Sequence, residues 1–530
     1  MARSKVLSLL EKSANLHRAA LLGPLRYPIK GHLYTTASKD LTQQLSLLFP
    51  ASAGSWPFAS AVVRELLSGG SKSADSGSSD GSARQEFTTQ SAAEAEPVPA
   101  DDEPVQNFRV LQLLSAAEQR LQANEVGPRV TPILQHLIPE LRSLRPVELA
   151  AMCTALSSIG WQDSLVDLVL GVVSDMVQDN VASFTAPQLA AMCGAYVQLC
   201  RHSYNDSQLF DAIVEQVLRS FKDLDASGLV SLTNALSMAD HESEKSAVLL
   251  KAIAAGALDL IPSFAPGQAV SLLSSFSCLR HYDEPLYRAV SRHLLAQGLQ
   301  QLQPRQQANL LLSLARMGHT EEELVRQLRQ QLVQDADKLR GSALCDVLWS
   351  LGILDDLPVA TYTQLASLLE QQPLRDFQPS DFRRLYEVQR IVQACLPAEE
   401  RGQVVLPGWM RAYASAAWQD RFFAEQNFTP LQQSVCRALA DQGISFEEKQ
   451  LHNMTFAVIV RGTQIALHPE GPDNYSSSWP KRPLGDTLAM RRMLRAQGWT
   501  VIPIPKHEWM AMTIPRRRAH VNKLVTEAST

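Results

Sequence analysis

Two groups of side chains near the C-terminal end have the types and spacing to do chemistry. The first is the stretch "IALHPEGPDNY", where an apolar triplet runs into His468, Glu470 and Asp473, with Glu447 and Glu448 upstream. Metal-assisted hydrolysis needs clustered carboxylates, because a hard cation takes several oxygen ligands and the attacking water must be activated. Only Glu470 stands at the strand end, and one carboxylate holds Mg²⁺ weakly. A site displaced onto Glu447, Glu448 or Asp473 and a general-base role for His468 are the catalytic readings; the plainer one is a histidine that ends a strand. The sequence therefore predicts no catalytic residue, no metal and no cofactor.

The second group is basic. Residues 479–530 hold ten Lys and Arg against three acids, a net of +7. Arg491, Arg492 and Arg495 are spaced to share one side of a helix, Lys481 and Arg482 precede them, Lys506 follows, and Arg516, Arg517 and Arg518 form a second cluster. Aromatic residues are interleaved at Tyr475, Trp479, Trp499 and Trp509. Single-stranded RNA suits such a mixture, since phosphates meet charge and bases meet rings. Trp499 and Trp509 adjoin an apolar strand and are expected in the core. Tyr475 and Trp479, in the polar loop "PDNYSSSWPKRP", are the stacking candidates.

These residues need elements to hold them. "PLQQSVCRALADQG" (430–443) predicts a helix closed by Gly443, "FAVIV" (456–460) and "QIALH" (464–468) predict two strands, Asp486 caps a helix ending at Gly498, and "WTVIPIP" predicts a buried strand. That order describes an α/β domain over 429–526. Its residues resemble the RAP domain of organellar RNA-handling proteins: Gly471 and Pro472 after the strand, Leu484, Arg491 and Arg492, Leu494, Gly498, Trp499, the Val-Ile-Pro-Ile-Pro strand and Trp509. The resemblance implies a restriction-endonuclease-like fold. It also implies a degenerate one, because members that keep the metal pattern carry an Asp near Ala457 and a Glu where His468 stands.

The middle of the chain repeats. "LAAMCTALSSIG" at Leu149 returns as "LAAMCGAYVQLC" at Leu189, "LVSLTNALSMAD" at Leu229 and "AVSLLSSFSCLR" at Ala269, a spacing of 40 each time, and weakens into copies at Gln307, Gly341 and Phe382. A second apolar-periodic stretch follows each copy. Two helices per unit of this length predict an α-solenoid over 106–428, so the fold class is mainly α with a small α/β domain appended. At about 100° per residue, Leu149, Met152, Cys153 and Leu156 form the core stripe, and the Thr154 column lies opposite. That column holds Thr154, Asn234, Ser274 and Asp346, with Gly194 and Leu312 between them. It predicts either one base-reading side chain per repeat or small residues that let helices pack closely. Residues 141–372 hold 16 Lys and Arg against 25 Asp and Glu, a net of −9, which favours protein over phosphate as this region's partner.

Seven cysteines without a CxxC pair support neither a zinc site nor a disulfide framework. No run of 18 apolar residues occurs, so no membrane span is expected. Residues 1–40, basic and leucine-scattered with Glu11 as the lone acid before Asp40, predict a mitochondrial or plastid transit peptide; 41–68 give no clear reading. Residues 69–105, rich in Gly, Ser, Ala and acids, predict a disordered linker. Repeats of this kind before a RAP-like domain are similar to FAST-kinase-like and heptatricopeptide or octotricopeptide repeat proteins. This resemblance implies a non-catalytic RNA-binding protein of the mitochondrial matrix, or of the plastid, acting in rRNA or mRNA processing, stability or translation. The partners expected are organellar RNA and ribosomal or other ribonucleoprotein subunits. A structural subunit of the organellar ribosome and a metal-dependent RNA endonuclease are the alternatives.

Overall fold

The computed structural model describes residues 105–529 except 119–122, 162, 201–206, 425–428 and 452–453, all within one compact unit, Pro97–Thr530. The expected transit peptide, residues 1–40, and residues 41–68 lie outside the described residues, as does the expected linker save Val105.

Among the described residues sixteen α-helices come first: α1 Phe108–Glu118, α2 Ala123–Leu137, α3 Pro146–Ile159, α4 Ser164–Asp179, α5 Ala186–Leu199, α6 Ser207–Arg219, α7 Ala226–Met238, α8 Glu244–Leu260, α9 Pro266–Cys278, α10 Glu284–Gln297, α11 Pro304–Met317, α12 Glu322–Gln334, α13 Gly341–Ile353, α14 Val359–Glu370, α15 Pro379–Cys395 and α16 Gly408–Ala424. The recurring phrase forms α3, α5, α7, α9, α11, α13 and α15, which pack side by side as one layer, while α2, α4, α6, α8 and α10 meet in turn as a second. Leu149, Met152, Cys153 and Leu156 are buried between the layers. Local chemistry starts the helices: Thr185 accepts from Gln188 N, Asp225 from Gly228 N, and Pro occupies the first turn of α3, α5, α9, α11 and α15. Four of the layer's helices, α7, α9, α11 and α13, also stop alike, with a left-handed residue at Asp240, Arg280, Gly318 or Asp355 and the next residue's N–H returning to the last turn. Thus His241 donates to Leu236 O, His281 to Phe276 O, His319 to Leu314 O and Asp356 to Leu351 O.

Among the described residues one segment meets the length and apolarity of a membrane-crossing helix: α8 continued to Ser263, 20 residues whose most apolar 18-residue stretch has a mean hydropathy of 1.5. Its apolarity follows from its place between α6 and α10, where Leu249, Leu250, Ile253, Ala254 and Ala257 are buried.

The C-terminal domain comprises α17 Pro430–Asp441, β1 Phe446–Leu451, β2 Thr455–Val460, β3 Ile465–Glu470, α18 Gly485–Ala496, β4 Thr500–Pro505, α19 Lys506–Ala511 and α20 Ile514–Ser529. Its sheet runs β1-β2-β3-β4, antiparallel except for β3 and β4, which are parallel with Glu470 opposite Pro505. Alternation along the strands splits the apolar residues. Val458, Val460, Ile465, Leu467, Ile502 and Ile504 join Trp509 and α17/α20 in one core, whereas Ala457, Ile459, Ala466 and Val501 join α18 and the solenoid. Helix α18 therefore lies between the sheet and the repeats, packed on α11, α13 and α15. This explains why α13 is buried along nearly its whole length: neighbours cover one side and the C-terminal domain the other.

Candidate nucleic-acid interface

Glu470 ends β3 and is fully buried. Arg491 on α18 donates to it twice, Nε to Oε1 at 2.7 Å and Nη2 to Oε2 at 2.5 Å; the Tyr475 hydroxyl donates to Oε2 at 2.5 Å, and His468 Nδ1 to Oε1 at 3.0 Å. Burial by itself raises the Glu470 pKa, but these donors outweigh it and hold the carboxyl at about 2. His468 Nε2 faces the Thr455 hydroxyl at 2.8 Å. A carboxylate with its lone pairs taken by a guanidinium, a phenol and an imidazole has none left for a cation, and Ala457 supplies no second one. The strand end does not fit a metal, and no group of three ligating side chains able to hold one occurs among the described residues. Glu447, Glu448 and Asp473 do not rebuild it: the first two are exposed on β1, and Asp473 pairs with Arg280 at 2.5 Å.

This network corrects two expected RNA contacts. Arg491 and Tyr475 are buried at 8% and 5% exposure, so neither offers a free guanidinium or ring face. The three arginines of α18 also diverge. Arg491 turns to the sheet, Arg495 is exposed, and Arg492 reaches the repeats, donating to Gly352 O at 2.7 Å and Ile353 O at 3.2 Å beside Asp355. Arg482 likewise donates to Gly318 O at 3.0 Å and to the Tyr282 hydroxyl at 2.7 Å, its guanidinium 4.4 Å from the Tyr282 ring centroid. Ser477 donates from N to Arg280 O and from Oγ to Leu279 O, and Ser478 Oγ accepts from Tyr282 N at 3.0 Å. The last carbonyls of a helix lack intrahelical donors and carry partial negative charge. Arg482, Arg492 and Ser477 supply donors to the ends of three successive helices, α9, α11 and α13. Sequence spacing shows basic charge; it does not show that the receiving groups are carbonyls of the same chain.

The remaining basic residues separate into held and open ones. Lys481 Nζ binds Ser476 O at 2.9 Å and Ser477 O at 2.8 Å. Arg517 binds Trp509 O, and Arg518 pairs with Asp441. Arg495, Lys506 and Arg516 are exposed. Trp509 is core, with its indole N–H donated to Ser434 Oγ at 3.0 Å; Trp499 is half-buried; Trp479 is 77% exposed. Beside Trp479 stands His507, which no motif in the sequence singles out, at 6.0 Å between ring centroids. An isolated histidine after a strand gives no sequence signal of such pairing.

In the Thr154 column, Thr154 is exposed with its hydroxyl donated to Ala150 O, Asn234 and Ser274 are half-buried, and Ser274 Oγ lies 3.1 Å from Ser313 Oγ. Asp346 breaks the series. It is buried and ion-paired with Arg384, a packing role that removes it from the reader candidates.

From the end of β3 through α18, β4 and α19 into α20, residues 470–524 match the family model of the RAP domain. The chain carries a RAP domain. Helix α17, strands β1 and β2 and all of β3 but Glu470 precede the matched stretch and pack with it in the same fold. Within the repeats, residues 201–372 match the model described as RNA-editing substrate-binding complex 6 protein. Over 300 residues the chain is 25% identical to FAST kinase domain-containing protein 4 of Rattus norvegicus, taking in 49% of this chain and 46% of that protein. The chain thus spans about half the length of the curated relative it matches. The structure and the family match together describe helical repeats followed by a RAP domain.

Proposed function

We propose that this chain is an RNA-associated, non-catalytic protein of the mitochondrial matrix that supports maturation, stability or translation of organellar rRNA or mRNA. The observation that carries the reading is the RAP domain itself, with Arg495, Lys506, Arg516 and Trp479 exposed while Arg482, Arg491, Arg492 and Arg517 are held within the chain. The repeat match to an RNA-editing substrate-binding complex protein supports the same association. The non-catalytic part rests on Glu470, saturated by Arg491, Tyr475 and His468. The mitochondrial part rests on the basic composition of residues 1–40.

Cross-linking and sequencing of RNA bound to the protein in purified mitochondria tests this reading, comparing the intact chain with an Arg495→Gln, Lys506→Gln, Arg516→Gln variant. Cross-links concentrated on one transcript or rRNA region and weakened in the variant are expected; none above background contradicts the association. The charge division, −9 over 141–372 and +7 over 479–530, favours a second reading, a ribosome-resident subunit whose repeats hold protein while the RAP domain holds rRNA. Stable co-sedimentation with ribosomal particles at high salt distinguishes it from a transient factor.

A further inference from the structure

We propose that Trp479, His507 and Lys506 form a site for one unpaired nucleotide of RNA, whose base stacks on the Trp479 indole while its phosphate meets Lys506. The inference rests on the RNA-associated reading above and adds the position and chemistry of contact. Trp479 has the greatest exposure, 77%, of the large apolar side chains described, ahead of Phe108 at 65% and Ile514 at 62%.

The loop beneath the indole is fixed. Ser476 N donates to Arg482 O at 2.8 Å and Arg482 N to Ser476 Oγ at 3.0 Å. Tyr282 N holds Ser478 Oγ, Lys481 Nζ binds two loop carbonyls, and Tyr475 bridges to Pro483. An exposed indole on backbone tied at both flanks loses little conformational entropy when a ligand stacks on it.

The surroundings select the ligand. His507 stands at 82° to the indole plane and 75° to the Tyr475 ring behind it. Lys506, the residue before it, is exposed. Both follow Pro505, which lies opposite Glu470 at the carboxyl ends of the parallel pair β3 and β4, the end of an open α/β sheet where ligand crevices form. One acid adjoins, Glu508, with Oε1 3.8 Å from His507 Nε2. Within the loop itself Trp479 is the exposed large apolar side chain, with Leu488 at 36% and Met510 at 43% the next along the chain on either segment. Beside the indole stand the His507 imidazole and, next to it in the chain, the exposed Lys506, the pairing of ring and charge that a base with its phosphate requires.

The test is fluorescence anisotropy on the purified full chain with a labelled oligouridine dodecamer and an abasic strand of equal length, alongside circular dichroism to verify folding. Trp479→Ala is expected to weaken oligouridine binding about 5- to 150-fold, with Trp479→Phe keeping most of the affinity. The abasic strand is expected to bind the intact chain and Trp479→Ala equally. Lys506→Gln is expected to reduce the slope of log K against log salt by about 0.7, and His507→Ala to weaken oligouridine in the same direction as Trp479→Ala. Oligouridine bound equally by the intact chain and Trp479→Ala overturns the site and leaves the RNA association standing; an intact chain that binds neither strand overturns both. Loss of a purified protein partner by Trp479→Ala with RNA affinity unchanged also overturns the site.

Discussion

Glu470 and Arg491 form a buried ion pair whose members also hold Tyr475 and His468. Removing one charge leaves the other buried without compensation, which costs about 3–5 kcal/mol. Glu470→Gln should therefore lower the urea midpoint markedly, and Glu470→Gln with Arg491→Met should recover part of the loss; a single variant as stable as the parent would contradict this account. Two histidines add a pH dependence. Burial foremost, reinforced by Lys481 near His281 and Arg482 near His319 and opposed by Asp283 and Glu284 respectively, lowers both to about 4 from 6.5. Between those values the unfolded chain binds more protons than the folded one, so stability falls as pH drops from 6.5 to 4, by about 1.4 kcal/mol per unit for each group. Glu470, held at about 2, adds stability above its unfolded value of 4.5 that is lost as pH falls from 4.5 towards 2. Urea melts at pH 7, 5.5 and 4.5 should show this decline and His281→Gln with His319→Gln should flatten its upper part; a pH-independent midpoint would contradict it.

At the scale of elements, the decisive contact is α18 on the ends of the repeat helices. A methyl added at Gly485 would sit 1.7 Å from the Ala315 carbonyl oxygen, and backbone cannot swing aside. Gly485→Ala should lift α18 from α11, raising amide exchange across 473–484 and exposing that loop to limited proteolysis; unchanged protection would sink the contact. Arg482→Met with Arg492→Met should act in the same direction, because each carbonyl left unpaired costs about 1–3 kcal/mol. The sequence made much of this architecture legible. The repeat phrase marks α3 to α15 because one apolar stripe recurs where neighbours must bury it, and Gly443 closes its helix as expected at φ +69°. Strand β1, "FEEKQL", was illegible because it is an edge strand with charges facing water and no apolar alternation. Helix α18 begins at Gly485, ahead of the expected start after Asp486, because its first turn is set by contact with α11. Asp486 instead accepts from Thr487 N within that turn. Tertiary contacts of this kind leave no local trace, and the same limit hid the destinations of Arg482, Arg491 and Arg492.

For the whole molecule, one basic segment divides into two populations. Arg482 and Arg492 join the RAP domain to the repeats, while Arg495, Lys506 and Arg516 face outward with no carboxylate partner among the described residues. A rigidly docked RAP domain would present its open charges and Trp479 at a fixed position beside the acidic repeats, which fits a protein that touches RNA at one end and protein along the other. The direct measurement is the salt dependence of RNA binding by three full-length proteins: the parent, Arg482→Met with Arg492→Met, and Arg495→Gln with Lys506→Gln and Arg516→Gln. Counterion release lowers the slope of log K against log salt by about 0.7 for each phosphate that the protein ceases to neutralise. The outer variant should drop by up to about 2 in slope with its melting curve unchanged, and the docking variant should melt lower with its slope retained. A slope unchanged in the outer variant, or reduced in the docking variant at salt concentrations where it stays folded, would contradict the division.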